Sequence, residues 1–217
     1  MSVIKTPCLE KEQKLQVEAL IKEVQVFDGT HRIPYLSNNL NFDQEMPAFF
    51  LAYEKNQLVG LLTVYADVPD EAELAIMVHP NYRRLGYVKE LFHVFRETMQ
   101  EYQLSFTVMS ERAFLAKHPD VLANLGMTLE DDFEYWLSRQ RKAYLLEKRD
   151  DLSVTKASRE HLEAIADFQA KAFGEPHEVT LRYAKEALVD ETGKLYIVMK
   201  DDEVVASCTV DFSTTYN

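Results

Sequence analysis

Cysteine is almost absent: Cys8 and Cys208 stand at opposite ends of a chain of 217 residues. Two thiols so far apart lack the clustered spacing of a zinc site and the density of a disulfide framework, so the expected setting is the reducing cytoplasm. Long apolar runs are missing as well. The longest, Ala48 to Tyr53, falls far short of the roughly 20 residues that cross a bilayer. The opening "MSVIKTPCLEKEQK" has no apolar core of signal-peptide length. Positive charge is in deficit, with 24 Lys and Arg against 36 Asp and Glu and a net charge of −12. That balance argues against nucleic acid and membrane surfaces as partners, because both would repel the chain. It mildly favours a cationic small substrate, although an acidic surface also serves solubility.

What remains is the composition of an ordinary globular protein, 47% hydrophobic with few Gly and Pro. Its length allows one large domain or two small ones. Residues 9–27 place Val17, Leu20, Ile21, Val24 and Phe27 on one helical face, closed by Asp28-Gly29. An Asn-rich loop follows. "AFFLAYEKNQLVGLLTVYADV" reads as a β-hairpin turning at Lys55-Asn56, and "EAELAIMVHP" as a third strand. A helix is expected from Gly86 to Tyr102, carrying Leu91, Phe92, Phe95 and Met99 toward a core. Then come a strand at "SFTVMS", a helical segment ending at Gly126 and a closing strand around "DFEYWLS".

After the charged tract "RQRKAYLLEKRDD" the pattern begins again. "LSVTKAS" is a strand, Ser158 caps a helix stopped by Gly174, a second helix covers about residues 180–189, and a hairpin turns at Asp201-Asp202. The two hairpins align without a gap, Phe49 on Leu195 through Tyr65 on Asp211, with Gly60 falling on Ala206. We read a duplicated unit whose second copy stops before its third strand. The expected domains are 1–145 and a partial copy at 151–217. The natural chain is expected to continue beyond Asn217 by roughly 65–80 residues. Otherwise the uncovered edge at 203–212 should pack against the first domain or a second chain, as in a homodimer.

The residues that carry chemistry lie in "VHPNYRRLGYV", between the third strand and its helix. A helix N-terminus presents unpaired N–H groups and partial positive charge, so a loop opening one is an anion site. Gly86 permits close backbone approach, and Arg83 and Arg84 add fork-shaped donors. The same arginines also fit the role of solvated loop residues.

This stretch resembles the coenzyme-binding segment of the GNAT acetyltransferase superfamily, written Q/R-x-x-G-x-G/A after V-x-P. Arg83 and Gly86 take the first two motif positions, and Val78 and Pro80 the V-x-P. The order of elements over 9–138 follows the family, and residues 152–212 resemble the opening of a second such domain, as in tandem GNAT proteins. The resemblance implies an α/β fold with a mixed, mostly antiparallel sheet flanked by helices. It implies acetyl-CoA as cosubstrate, transfer to a primary amine of a small molecule or peptide, and coenzyme contacts from Arg83, Arg84, Gly86, Tyr87 and Val88. The thioester oxygen falls to the amide of Met77 or Val78, and the base to Glu73. Tyr135 is a candidate acid by its hydroxyl. Three departures stand out. Val88 replaces Gly or Ala and would crowd the phosphates, and Leu115 and Leu122 replace the Asn and the Tyr of the later helix. They leave open a non-catalytic coenzyme- or protein-binding module, and a structural half that binds no coenzyme.

Overall fold

The structure is a computed structural model that describes residues 2–131, 133–135, 137, 147 and 149–212. The chain divides into two compact units, Met1–Leu129 and Glu130–Asn217. No helix among the described residues is long and apolar enough to cross a membrane.

The first unit is built on five strands: β1 (Ser2–Thr6), β2 (Phe49–Glu54), β3 (Gln57–Tyr65), β4 (Glu71–Val78) and β5 (Ser105–Val108). They lie in chain order, antiparallel except for the β4–β5 pair. Alternation along β2 sends Phe49 and Leu51 to one face and Phe50 and Ala52 to the other. Helix α1 (Lys11–Asp28) lays Val17, Leu20, Ile21 and Val24 on the first face. Helix α2 (Tyr87–Met99) lays Leu91, Phe92 and Phe95 on the second. Phe95 stands edge-on to both Phe50 and Phe106, at 5.9 and 5.4 Å between ring centroids. The Lys55-Asn56 turn has φ of +48° and +69°, as a tight two-residue hairpin turn requires.

Three details differ from expectation. Strand β1 was not expected; it pairs along β2, Val3 on Ala52 and Lys5 on Phe50. The segment ending at Gly126 is two short helices, α3 (Arg112–Lys117) and α4 (Val121–Leu125). Pro119 explains the break, because the residue before a proline is pushed out of helical backbone, and His118 sits at φ −128°, ψ 63°. The strand expected at 132–138 falls partly outside the described residues, and its described members 133–135 and 137 take no strand. The Asn-rich loop is anchored by burial. The Asn41 side-chain oxygen accepts from the Ala66 amide at 2.8 Å, and Asn38 Nδ2 donates to the Gln44 carbonyl at 2.6 Å.

The second unit has strands β6 (Ser153–Lys156), β7 (Gly193–Lys200) and β8 (Glu203–Asp211), with helices α5 (Leu162–Phe173) and α6 (His177–Val189). Its hairpin repeats the first in register and in irregularity. The ladder slips between Ala52 and Tyr53 in one copy and between Val198 and Met199 in the other, which the sequence alignment equates. Strand β6 meets β7 as β1 meets β2: Ser153-Val154 oppose Met199-Val198, and Ser2-Val3 oppose Tyr53-Ala52. The likeness of "SVIK" to "SVTK" was the signal for β1.

One paired position is not equivalent. A Cβ on Gly60 would lie 3.2 Å from Ala52 Cβ and 3.2 Å from Leu91 Cδ1, tighter than ordinary contact, so a larger residue there presses on a side chain that seats α2. Its counterpart Ala206, opposite Val198, has no helix corresponding to α2 above it among the described residues. Gly60→Val should therefore cost about 1–3 kcal/mol in urea unfolding, whereas Ala206→Val should stay within about 0.5 kcal/mol. Equal losses at both positions would show that α2 does not set the size limit at residue 60.

Candidate functional site

Strands β4 and β5 part company. They pair from Glu71–Ser105 to Leu74–Val108, and the Met109 amide donates to the Leu74 carbonyl at 2.8 Å. From Ala75 to Val78 the strand has no β5 partner and runs on against β3 alone. Antiparallel pairing sends alternate residues to alternate sides. The His79 amide donates to Val59 on β3, so Met77 and Ala75 turn their amides to β3 as well. The amides of Ile76 and Val78 face the open side. Of the two amides expected to polarise a thioester, Val78 is so placed and Met77 is not. The Ile76 amide, not among those expected, faces the same side as that of Val78, and strand parity relative to His79 was the signal.

The loop after β4 folds back on that open end. A 3₁₀ turn at Pro80–Tyr82 is fixed by His79, whose Nδ1 accepts from the Asn81 amide and whose Nε2 meets Glu23 at 2.8 Å. Arg84 takes φ +61° and Gly86 φ +92°. Nothing lies within 4 Å of where a Gly86 Cβ would be. Helix α2 starts at Gly86 without any side-chain cap, whereas α1 closes its start with a capping box of Glu10 and Gln13. Its first-turn amides thus have no cap to satisfy them, the condition that favours an anion. Tyr87 is buried and its hydroxyl donates to Glu54 at 2.9 Å, pinning the helix start to the β2–β3 hairpin. Burial, and then the Glu54 carboxylate, raise the Tyr87 phenol above its ordinary value. Val88 is half-buried and packs against the core under α2.

Arg83 is where expectation needs correcting. Its guanidinium forks onto Asp28, Nη1 to Oδ1 at 2.8 Å and Nη2 to Oδ2 at 2.6 Å, and its Nε donates to the Val78 carbonyl at 3.0 Å. His118 Nε2 stands 3.2 Å from both Asp28 Oδ1 and Arg83 Nη1. The guanidinium carbon lies 5.3 Å from the centre of the Phe27 ring and 5.9 Å from that of Phe114. The side chain expected to meet a phosphate is spent on a carboxylate with no exposure to water. Arg84 is exposed.

On the α1 side of the sheet, Glu73 lies opposite Tyr65 and meets Arg32 Nη2 at 3.4 Å. Tyr35 stands edge-on to Tyr65, with ring centroids 5.6 Å apart. The His31 and Arg32 amides both donate to Glu111 at 2.7 Å, which ties this loop to the start of α3. None of these partners of Glu73 was anticipated, because they come from a loop without periodicity. Between α2 and α4 lies a groove of about 320 Å³ lined by Lys89, Phe92, His93, Arg96, Asn124, Leu125 and Met127. Tyr135 is 77% exposed and falls in the second unit.

Residues 16–116 match the family model described as the Acetyltransferase (GNAT) family. These residues form a GNAT-family domain. Among solved structures, a GCN5-related N-acetyltransferase from Sphaerobacter thermophilus is similar at 15% identity and a TM-score of 0.59, over 98% of this chain and 72% of that one. A tandem GNAT protein from the clavulanic acid biosynthesis pathway, without AcCoA, is similar at 14% identity and a TM-score of 0.62, over 98% and 75%. No curated protein matches. The two structures show the fold, and the expected mixed, mostly antiparallel sheet flanked by helices is the observed one.

Within the GNAT domain Asp28 carries a testable electrostatic load. Burial alone would raise its carboxyl, but hydrogen bonds from Arg83 and His118, and then their charges, outweigh burial and hold it below the ordinary 3.8. A carboxylate lowered on folding stabilises the folded state fully above its unfolded pKa of about 3.9. That stabilisation disappears as pH falls through the lower folded value. The stability advantage of wild type over Asp28→Asn, from urea unfolding, should hold at neutral pH and shrink once pH drops below about 4. An advantage unchanged down to about pH 2 would show that this pair carries no linked proton.

Proposed function

We propose that the chain transfers an acetyl group from acetyl-CoA to the primary amine of a small molecule or peptide. The observation that carries this reading is the uncapped start of α2 beside the open edge of β4. Amides from Arg84 to Val88 are the groups to hold the coenzyme's pyrophosphate, with Arg84 adding charge. Lys89 and Arg96 bring further positive charge to the neighbouring groove. The coenzyme supplies the activated acyl thioester. The amides of Val78 and Ile76, on the unpaired side of β4, are aimed where a thioester oxygen gains charge.

Amine attack needs a free lone pair, so a proton must leave the incoming ammonium. Glu73 is the proposed acceptor, held by Arg32 and 44% exposed in its side chain, directly or through a water. The Tyr35–Tyr65 pair beside it offers aromatic surface to a cationic acceptor. The setting we propose is the cytoplasm.

The departures at Leu115 and Leu122 favour a second reading, a module that binds coenzyme A without catalysis. An amine panel assayed for thiol release separates the two: amine-dependent release supports the enzyme. Thermal stabilisation by acetyl-CoA without release supports the module. For the enzyme, Glu73→Gln should lower kcat by about 100-fold or more. The KM for acetyl-CoA should hold, since the residue lies on the acceptor side of the sheet. An unchanged kcat would remove Glu73 from the mechanism.

A further inference from the structure

Arg83 opens the loop, yet all three of its nitrogens are engaged inside the protein: Nε on the Val78 carbonyl, Nη1 and Nη2 on Asp28. The residues around the pair come from three places in the first unit. Asp28 and Phe27 end α1, Phe114 lies in α3 and His118 follows its last residue, and Val78 ends β4. Arg83 itself is extended, at φ −69° and ψ 155°, and the next residue turns to positive φ. Its side chain is held inward while Arg84 is exposed.

We propose that Asp28 is a positioning residue for coenzyme binding. By gripping the Arg83 guanidinium it fixes the end of β4 and the loop 83–86, so that backbone amides rather than the Arg83 side chain meet the phosphates. This inference rests on the coenzyme reading above. The competing arrangement makes Arg83 a direct phosphate ligand that Asp28 merely restrains, and the two predict opposite signs. Removing the Asp28 charge weakens binding if the pair positions the loop. It tightens binding if the removal frees a ligand.

The test is calorimetric titration of the full chain with coenzyme A. Asp28→Asn should weaken binding by about tenfold or more. It should raise the KM for acetyl-CoA by a similar factor, with kcat within about threefold. The double variant Asp28→Asn with Arg83→Gln replaces the ion pair by two neutral groups that can still bond each other. It should recover wild-type affinity to within about threefold, a rescue that a direct ligand at residue 83 cannot give. Affinity unchanged or tightened in Asp28→Asn overturns the proposal, and so does a double variant that stays weak by tenfold or more. If the single variant does not fold, the double variant decides alone. A wild type that binds no coenzyme A overturns the coenzyme reading and this inference with it. Binding by wild type without loss in Asp28→Asn overturns the inference only.

Discussion

A carboxylate without exposure to water must be paired, and Asp28 is placed where pairing is hardest. It is the last residue of α1, where the helix's own carbonyls already gather negative charge. The last turn of α1 holds no basic residue to offset it. The compensation comes from elsewhere in the chain: Arg83 from the loop, His118 from the end of α3, and Lys117, whose ammonium reaches the Phe27 carbonyl at 3.2 Å. Stripping a buried charge of its partner costs about 3–5 kcal/mol. This one demand therefore fixes three segments relative to one another, and the loop that opens α2 is among them.

The sequence made the scaffold readable and left this junction hidden, for a physical reason. Apolar periodicity reports which side of an element is buried, so α1, α2 and both hairpins could be read from residues such as Val17, Leu91 and Phe50. Turn chemistry marked Lys55-Asn56, Gly126 and Gly174. Asp28 read only as a residue beside the closing glycine, because nothing local says that its side chain is buried. Arg83 read as a free donor for the same reason: a sequence shows charge but not its partner. Strand β1 has five residues at the sheet edge, too few to show a period alone, and only its repeat in β6 gives it away.

The two hairpins show what the fold keeps constant and what it varies. Both keep the bulge near the turn and the same antiparallel register, so the twist imposed there belongs to the shared frame. What differs is the load on it. Leu91 descends onto Gly60, whereas among the described residues no helix corresponding to α2 stands over Ala206. Among the described residues, the parting strands and the gripped arginine belong to the first unit.

Neutralising Arg83 also changes what draws an anion to the loop. In a chain of net charge −12, a phosphate must find a local region of opposite sign. The Arg83–Asp28 pair contributes almost nothing to that field, because its charges cancel at contact distance. For the coenzyme we propose, the attraction would fall to the uncapped amides of α2 and to Arg84, Lys89 and Arg96. These amides are rigid dipoles that need no rotamer to be frozen when a ligand arrives, so their contribution depends on loop shape more than on flexible charge. A site of this kind would depend above all on whatever holds the loop still, the part we propose for the buried carboxylate at the end of α1.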